Sequence, residues 1–280
     1  MKHFLSIITL AAAMMTLSPI LPAARQKKQA EAPKPEIVSQ WNGCKVGFLG
    51  DSIIDEGQLK SNNTFPHILA DLMGIEPHVY GISGHEVINI IPQATRMEEE
   101  LGQDVDAIII FIGTNDYNHA VPLGQWYEEK SEKVKVSGPM DVIRRHRTPV
   151  MTDDTFCGRI NKTMAWLKHH YPTKQIILMT PIHRALFHAS DRNHQPEETY
   201  TNAIGLYIDD YVEVLKQASN VWAVPVIDLN ALCGLYPLEP EHGVYFRNSD
   251  TDRLHPNTMG HTRMARTIAY QLTTLPAKFE

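Results

Sequence analysis

Residues 45–52 read KVGFLGDS, and they carry the first sign of how the chain folds. Residues 45–49 form a short apolar run, which predicts a buried β-strand. Gly50 then allows the backbone to bend sharply, and Asp51 and Ser52 follow it directly. In open parallel sheets the functional crevice lies outside the carboxyl ends of the strands. We therefore look for chemically active side chains at Ser52 and after the other strands.

Four further apolar runs predict strands at residues 78–80, 105–112, 175–179 and 221–227. Between and after them, apolar residues recur every three or four positions, as in helices that bury one face. These helical stripes cover residues 87–101, 156–171, 200–215 and 264–272. The alternation of strands and helices predicts an α/β protein whose parallel sheet is covered on both faces.

The composition is that of an ordinary globular protein. Of the 280 residues, 43% are hydrophobic and 21% are charged, and the formal net charge is −6. A negative chain lacks the broad positive field that holds a nucleic-acid backbone or an anionic membrane surface. We therefore expect no nucleic-acid partner and no stable membrane insertion.

The first 24 residues have the organisation of a secretory signal peptide. Lys2 and His3 give a positive start, residues 4–17 are mostly apolar, and residues 21–24 offer small side chains for cleavage. An uncleaved anchor is the alternative, but this apolar run is shorter than the roughly 20 residues that span a bilayer. We expect residues 25–40 to be a linker and residues 41–280 to be one folded domain. The protein should be exported, to the periplasm or the medium if its source is bacterial.

Three cysteines, Cys44, Cys157 and Cys233, permit at most one internal disulfide in an oxidising compartment. The sequence does not indicate a pair, and none of the three belongs to a C-x-x-C motif. A redox or zinc role is therefore poorly supported, and we interpret the three as buried, unreactive thiols.

Several histidines could bind a metal ion adventitiously, namely His169, His170, His183, His188 and His194. Their scattered positions are better explained as solvated loop residues. We predict that the protein needs no metal and no cofactor.

Residues suited to nucleophilic catalysis end the first predicted strand and precede the last predicted helix. A serine hydrolase needs a hydroxyl, a base that takes its proton and an acid that orients the base. Ser52, His255 and Asp252 fit these three roles. Pro256 suits the first position of the last helix, whose positive end would keep the His255 imidazole neutral. The alternative is that Ser52 caps a helix and that the D-x-x-H segment is a loop capped by its own side chains.

Donors for a developing oxyanion follow the second and third strands. Gly84 has a backbone N–H that no side chain obstructs, and Asn115, in the segment GTND at residues 113–116, has an amide that can donate. Turn chemistry is the alternative, because Gly and Asn are favoured wherever φ is positive. The catalytic interpretation gains support because these independent pieces all fall on one edge of one predicted sheet.

Two stretches do not fit the alternation of strands and helices. Residues 117–150 are polar and end in a basic cluster at residues 144–147, and residues 230–253 are rich in Pro and Gly. Long loops in compact domains are typically lids or binding loops. We predict a lid at 117–150, in which Tyr117, Trp126 and Tyr127 either stack on a sugar ring or simply form the core of the lid. For the basic cluster, a solvated loop is favoured over a site for phosphate or an acidic sugar.

The chain resembles the SGNH, or GDSL-type, hydrolase superfamily. Four motif blocks carry the resemblance in the family order: Gly50-Asp51-Ser52, the Gly84 turn, Gly113-Thr114-Asn115-Asp116 and Asp252-x-x-His255. The resemblance implies a flavodoxin-like three-layer α/β/α sandwich around a five-stranded parallel sheet. It also implies a catalytic triad of Ser52, His255 and Asp252, and an oxyanion hole formed by the Ser52 N–H, Gly84 and Asn115.

The same resemblance predicts hydrolysis of a carboxylic ester through an acyl-serine intermediate, with a small molecule or a glycan ester as substrate. Relatives include carbohydrate O-acetyl esterases, lysophospholipases and thioesterases. Together with the predicted export, this favours removal of acetyl groups from a carbohydrate. The alternatives are a lysophospholipase or thioesterase, an acyltransferase that uses the same acyl-serine, and an inactive carbohydrate-binding relative.

Overall fold

A computed structural model of the chain describes residues 36–58, 63–138 and 140–279. The predicted signal peptide at 1–24 and linker residues 25–35 lie outside the described residues. The folded body begins earlier than the predicted boundary at Trp41, because the Ile37 N–H donates to the Leu72 carbonyl at 2.7 Å and its side chain packs against the core. None of the helices in the described ranges has the length and apolar character needed to cross a bilayer.

Strands and short helices alternate along the described chain. The strands are β1 (Lys45–Gly50), β2 (Glu76–Val79), β3 (Ala107–Phe111), β4 (Tyr127–Lys135), β5 (Asp141–Pro149), β6 (Gln175–Met179), β7 (Phe187–Ser190), β8 (Asn193–Gln195), β9 (Val226–Ile227), β10 (Phe246–Asn248) and β11 (Asp252–Pro256). The α-helices are α1 (Phe65–Met73), α2 (Ile90–Leu101), α3 (Thr114–Asn118), α4 (Phe156–His170), α5 (Ile208–Trp222), α6 (Leu229–Leu232) and α7 (Thr258–Leu272). Short 3₁₀ helices occupy Glu56–Gln58, Val87–Asn89 and Pro240–Tyr245.

The central sheet has five strands in the order β2-β1-β3-β6-β9, and all its pairs are parallel. This confirms the predicted five-stranded parallel sheet. The register places Gly50 beside Phe111 and Phe111 beside Met179, so β1, β3 and β6 end level with one another. Residues that follow these strands therefore meet along one edge.

Alternate residues of the strands face two separate cores. In β3, Ala107, Ile109 and Phe111 belong to the core that α1 and α7 cover. Ile108 and Ile110 face the opposite side, where α2, α4 and α5 pack. This period of two, buried on both faces, explains why the central strands read as continuous apolar runs. It also confirms the predicted three-layer α/β/α sandwich.

The last strand is much shorter than predicted. Residues 221 and 222 complete α5, and only Val226–Ile227 pairs with β6. The helix continues because Trp222 lies along its buried face and its indole N–H donates to the Asn161 side chain at 2.8 Å. Ala223 then ends the helix in the left-handed region, with φ of 51°.

The predicted helical stripe at 200–215 is wrong in its first half. Helix α5 begins only at Ile208, whereas Tyr200 and Ile204 are 61% and 47% exposed. The Asn202 side chain accepts hydrogen bonds from the N–H groups of Ile204 and Leu206, at 3.1 and 3.0 Å, and so holds an irregular turn. A side chain that binds nearby backbone in this way competes with helix formation.

The predicted long loop at 117–150 is also wrong. Strands β4 and β5 pair as an antiparallel hairpin that runs from Tyr127 opposite Pro149 to Lys135 opposite Asp141. Both faces carry charged side chains, with Arg145 bound to Glu129 and Arg147 stacked on the Tyr127 ring at 4.2 Å. Because neither face is apolar, the period of two that reveals a strand is missing from the sequence.

Candidate active site

Three side chains form a hydrogen-bonded chain at the carboxyl edge of the central sheet. The Ser52 hydroxyl lies 3.0 Å from Nε2 of His255, and Nδ1 of His255 lies 3.0 and 3.1 Å from the two carboxylate oxygens of Asp252. A carboxylate can only accept at this position, so Nδ1 carries the ring proton and Nε2 is left to accept from Ser52. Ser52 and His255 are 8% and 7% exposed, so the pair is nearly dehydrated.

Ser52 owes its position to a tight turn after β1. A Cβ on Gly50 would lie 2.1 Å from the Phe111 carbonyl oxygen, so only glycine allows β1 and β3 to approach this closely. The Asp51 carboxylate accepts from the Ile53 N–H at 3.0 Å and closes the turn around Ser52. The alternative role of Ser52 as a helix cap does not apply, since α1 begins only at Phe65.

His255 lies on a strand and not at the start of a helix, which corrects the sequence prediction. It belongs to β11, which pairs with β10 and β7, and α7 begins at Thr258 after its cap Asn257. The Asn257 side chain accepts from two N–H groups of the first turn of α7, so it is Asn257 and not His255 that caps the positive end of that helix. The tautomer of His255 is therefore fixed by Asp252 and not by the helix.

The Asp252 carboxylate is held by more than the imidazole. Its Oδ1 also accepts from the backbone N–H groups of His255 and Leu254, at 2.9 and 3.2 Å. Burial raises the pKa of this carboxyl, but the hydrogen bonds from the His255 ring and from the backbone N–H groups of His255 and Leu254 outweigh that effect, so the pKa lies below its ordinary value. Asp252 is therefore a charged and immobile partner for the imidazole.

The predicted oxyanion donors lie in the same crevice. Gly84 has a φ of +81°, and nothing lies within 4 Å of the place where a Cβ would be. The Asn115 side chain donates to the His85 carbonyl at 2.9 Å, which fixes the orientation of its amide toward the Gly84 turn. Asp55 holds the same turn, because its carboxylate accepts from the N–H and the hydroxyl of Ser83 at 3.0 and 2.8 Å.

Gln93 joins the turn that carries Ser52 to the Gly84 turn, and sequence reasoning missed it. Its carbonyl accepts from the Gly50 N–H, and its amide donates to the Gly50 carbonyl and to Nδ1 of His85, all at 2.8 Å. The signal was present in the sequence, because Gln93 adjoins Ala94 in the apolar stripe of α2. A polar residue that is only 3% exposed needs polar partners, and here they are the two turns of the site.

A crevice of about 370 Å³ opens over these groups. Its wall opposite the sheet comes from the β7–β8 hairpin and from β10, which were not predicted. The lining residues are Ser52, Ser83, Gly84, Asn115, Phe187, Asn193, Gln195, Arg247, Leu254 and His255. The Phe187 ring packs edge-on against the His255 imidazole, with 5.0 Å between the ring centres, and so limits its movement.

The aromatic residues predicted to bind substrate do not line this crevice. Tyr117 is 3% exposed, its ring packs against Tyr211 in the core, and its hydroxyl donates to the Tyr200 carbonyl at 2.7 Å. The Trp126 indole donates to Gln217 of α5 at 3.0 Å, and Tyr127 belongs to β4. Of the two roles considered for Tyr117 and Trp126, packing is the one that these contacts support.

The three cysteines are buried and unpaired. Burial raises the pKa of each thiol, that of Cys157 to about 11, which keeps them protonated and unreactive. Of the histidines considered as ligands, His183 is bound to Glu198 at 2.6 Å, and no metal-binding group of His, Cys, Asp or Glu exists within the described ranges.

Asp51 makes the stability of the fold depend on pH. Its side chain is fully buried, and burial, assisted by the charge of Asp116 and opposed by the Ile53 N–H, raises its pKa from 3.8 to about 7. Between these two pH values the folded chain binds a proton that the unfolded chain has lost, so stability falls as the pH rises toward 7 and then levels. From about pH 5 to about pH 7 we expect wild type to lose about 1–2 kcal/mol more of its free energy of unfolding than Asp51→Asn does.

Urea unfolding at the two pH values measures this difference. Asp71→Asn removes an exposed carboxylate on α1 and should follow wild type. Parallel pH profiles for wild type and Asp51→Asn would show that the buried carboxyl does not take up the proton.

Comparisons with known proteins give one matching family and several solved structures of similar fold. The GDSL-like lipase/acylhydrolase family matches the chain over residues 48–263. Among curated proteins, none matches. A solved structure from Lactobacillus plantarum is similar, with 23% identity, a TM-score of 0.62, and coverage of 84% of this chain and 98% of that one. So is a possible lipase from Chitinophaga pinensis, with 18% identity, a TM-score of 0.58, and coverage of 84% and 100%.

A third similar structure is a carbohydrate esterase family 2 enzyme with a carbohydrate binding domain, from Corynascus thermopiles. It has 15% identity and a TM-score of 0.50, and the match covers 87% of this chain and 68% of that one. At these identities the three structures show a common fold.

Proposed function

Because the chain belongs to the GDSL-like lipase/acylhydrolase family, whose members hydrolyse esters, we propose that it is a serine esterase that works through an acyl-enzyme on Ser52. The observation that carries the proposal is the continuous hydrogen-bonded chain from Ser52 through His255 to Asp252, with 3.0 Å at each link. A hydroxyl is a weak nucleophile until an adjacent base takes its proton, and this arrangement supplies that base in the required tautomer.

In the proposed reaction, Ser52 Oγ attacks the acyl carbon while Nε2 of His255 takes the hydroxyl proton. The carbonyl oxygen becomes an oxyanion, for which the Gly84 N–H, the Asn115 amide and the Ser52 N–H are the proposed donors. His255 gives its proton to the leaving alcohol, and the acyl group stays on Ser52. Water then attacks this ester, His255 takes a proton from the water, and Ser52 leaves with that proton as the acid is released.

The lining of the crevice favours a short acyl group on a polar alcohol, and we propose O-deacetylation of a carbohydrate. Of the described lining residues, only Phe187 and Leu254 present apolar side chains. Two such side chains offer little apolar surface for a long acyl chain. Asn193, Gln195 and Arg247 give the wall the polarity that sugar hydroxyls require. The similar fold of a carbohydrate esterase family 2 enzyme is consistent with this class of substrate.

We also propose that the protein is exported, because its N-terminal sequence is apolar in the manner of a signal peptide.

The rates of hydrolysis of p-nitrophenyl acetate, butyrate and octanoate by the full chain test the proposed acyl preference. We expect kcat/KM to be highest for acetate and lower for octanoate by about tenfold or more, since the longer chain lacks an apolar surface to bury. Labelling with a fluorophosphonate, followed by mass spectrometry, should place the adduct on Ser52. Acetylated oligosaccharides then test the alcohol, with free acetate as the readout.

Other outcomes would overturn parts of the proposal. If kcat/KM is highest for p-nitrophenyl octanoate, a lysophospholipase or thioesterase is favoured. Acetate release that falls when a sugar acceptor is added would indicate an acyltransferase. If neither hydrolysis nor labelling of Ser52 is observed, the remaining interpretation is a binding protein that has the fold without the activity.

A further inference from the structure

The crevice wall contributed by β8 and β10 holds hydrogen-bond donors, and the orientation of the Gln195 amide on β8 is fixed from behind. Arg184 lies beneath this wall and is fully buried. Its Nη2 donates to the Gln195 side-chain carbonyl at 2.8 Å, and its Nη1 donates to the Asn118 side-chain carbonyl. The Asn118 amide donates in turn to the same Gln195 carbonyl, at 2.7 Å.

These contacts determine which end of the Gln195 amide is available to a ligand. An amide carbonyl oxygen has two lone pairs, and Arg184 and Asn118 occupy both. A guanidinium can only donate, so rotation of the amide would place two donors against each other and is excluded. The Gln195 NH₂ group therefore faces the crevice side, where the Asn193 side-chain oxygen lies at a long 3.5 Å.

Arg247 lines the same crevice from β10 and is the one permanently cationic side chain among the described lining residues. The carboxylates whose charge acts on it are Asp252 and Asp55.

The charges around the crevice indicate which class of ligand this wall suits. Burial lowers the pKa of the Arg247 guanidinium, and the charges of Asp252 and Asp55 act in the opposite direction. None of the described lining residues is Asp or Glu. A bound anion would therefore meet hydrogen-bond donors and a positive charge on this wall.

We propose that the crevice recognises esters that carry a carboxylate close to the scissile bond, with the Arg247 guanidinium and the Gln195 NH₂ as its donors. This inference rests on the proposed esterase function and specifies its substrate class. The carboxylate could belong to the alcohol, as in an acetylated acidic sugar, or to the acyl group, as in a half-ester of a dicarboxylic acid. Both sources present the same planar anion to a fork of N–H donors.

Two pairs of probe esters distinguish the sources and separate charge from reactivity. For the alcohol side, 4-acetoxybenzoate is compared with its neutral methyl ester. For the acyl side, the mono-p-nitrophenyl ester of adipic acid is compared with p-nitrophenyl hexanoate. We expect kcat/KM of the charged member to exceed that of its neutral twin by about tenfold or more in one of the pairs, mainly through a lower KM. Added salt should reduce this ratio.

Substitutions at Arg247 and Gln195 assign the preference to the two residues. Arg247→Gln should bring the charged-to-neutral ratio close to one, and Arg247→Lys should preserve part of it. In Gln195→Glu, Arg184 and Asn118 can still be bound by one carboxylate oxygen while the other faces the crevice, so the ratio should fall below the wild-type value through repulsion. A ratio within one protein does not depend on how much of that protein is folded.

The results separate the two proposals. Hydrolysis of the neutral esters with no preference for either charged probe would overturn carboxylate recognition and leave the esterase function standing. A preference that Arg247→Gln does not alter would overturn the assignment to this wall. If the variants cannot be purified, benzoate should inhibit wild-type hydrolysis of p-nitrophenyl acetate at lower concentration than benzamide does, and equal inhibition would contradict the proposal.

Discussion

Ser52→Ala should lower kcat for p-nitrophenyl acetate by at least about 10⁴-fold, because the acyl-enzyme can no longer form. The substitution removes one oxygen atom from a turn that other groups hold. The Asp51 carboxylate still accepts from the Ile53 N–H, and Gln93 still binds both the N–H and the carbonyl of Gly50. The loss should therefore fall on kcat, with the melting temperature nearly unchanged.

Ser83→Ala is the matched control, because Ser83 lines the same crevice but has its hydroxyl bound to Asp55 at 2.8 Å. It removes one hydrogen bond that positions the Gly84 turn, which is worth about 1 kcal/mol, so the rate should fall by less than about tenfold. Stopped-flow measurement of p-nitrophenol release gives both rates. Wild-type activity in Ser52→Ala, or an equally large loss in Ser83→Ala, would remove Ser52 from the role of nucleophile.

Four of the five strands of the central sheet were predicted within two residues at each end. In β3 and β6 the signal is strong because burial on both faces leaves an unbroken apolar run. The prediction failed where that signal is absent or misleading. The β4–β5 hairpin exposes both faces, so charged residues conceal its pairing. Near β9, the apolar end of α5 and the strand itself form one run in the sequence, and only the left-handed Ala223 separates the helix from the residues before the strand.

The candidate site also has a part that the sequence predicted and a part that it did not. Ser52, Asp252 and His255 were predicted because short motifs place them after strands or before the last helix, and the parallel sheet brings the ends of its strands together. No sequence motif marks the crevice wall that the β7–β8 hairpin and β10 form. Phe187 and Gln195 come from two strands of four and three residues, and Gln195 faces the crevice with its NH₂ group only because buried Arg184 holds its carbonyl.

Nothing in the sequence around Arg184 indicates that its side chain is buried, since arginine is rarely enclosed without partners. Three polar groups make burial tolerable, the side chains of Asn118, Gln195 and Thr114, and none of them lies within ten residues of Arg184 in the sequence. Such a network depends on how α3 and the β7–β8 hairpin meet in three dimensions. Specificity can therefore be inferred only once the fold is known, whereas the class of chemistry is already evident from the motifs.

Asp252→Asn should lower kcat by about 10⁴-fold while the structure is retained. In wild type, Oδ1 of Asp252 accepts from the backbone N–H groups of Leu254 and His255. An asparagine would keep its carbonyl oxygen toward these two donors, which turns its NH₂ group toward Nδ1 of the imidazole. The ring would then carry its proton on Nε2 and could not accept the proton of Ser52.

Asp250→Asn provides the control, because it removes the same charge from an exposed position two residues before Asp252, in the turn between β10 and β11. Its kcat/KM should stay within about twofold of wild type, because an exposed charge on the surface is screened by solvent. Nitrogen NMR shifts of the His255 ring show which atom carries the proton, and they separate a change of tautomer from a local loss of structure. A large rate loss in Asp252→Asn with the proton still on Nδ1 would mean that the charge of Asp252 supports the transition state, and that its control of the tautomer is secondary.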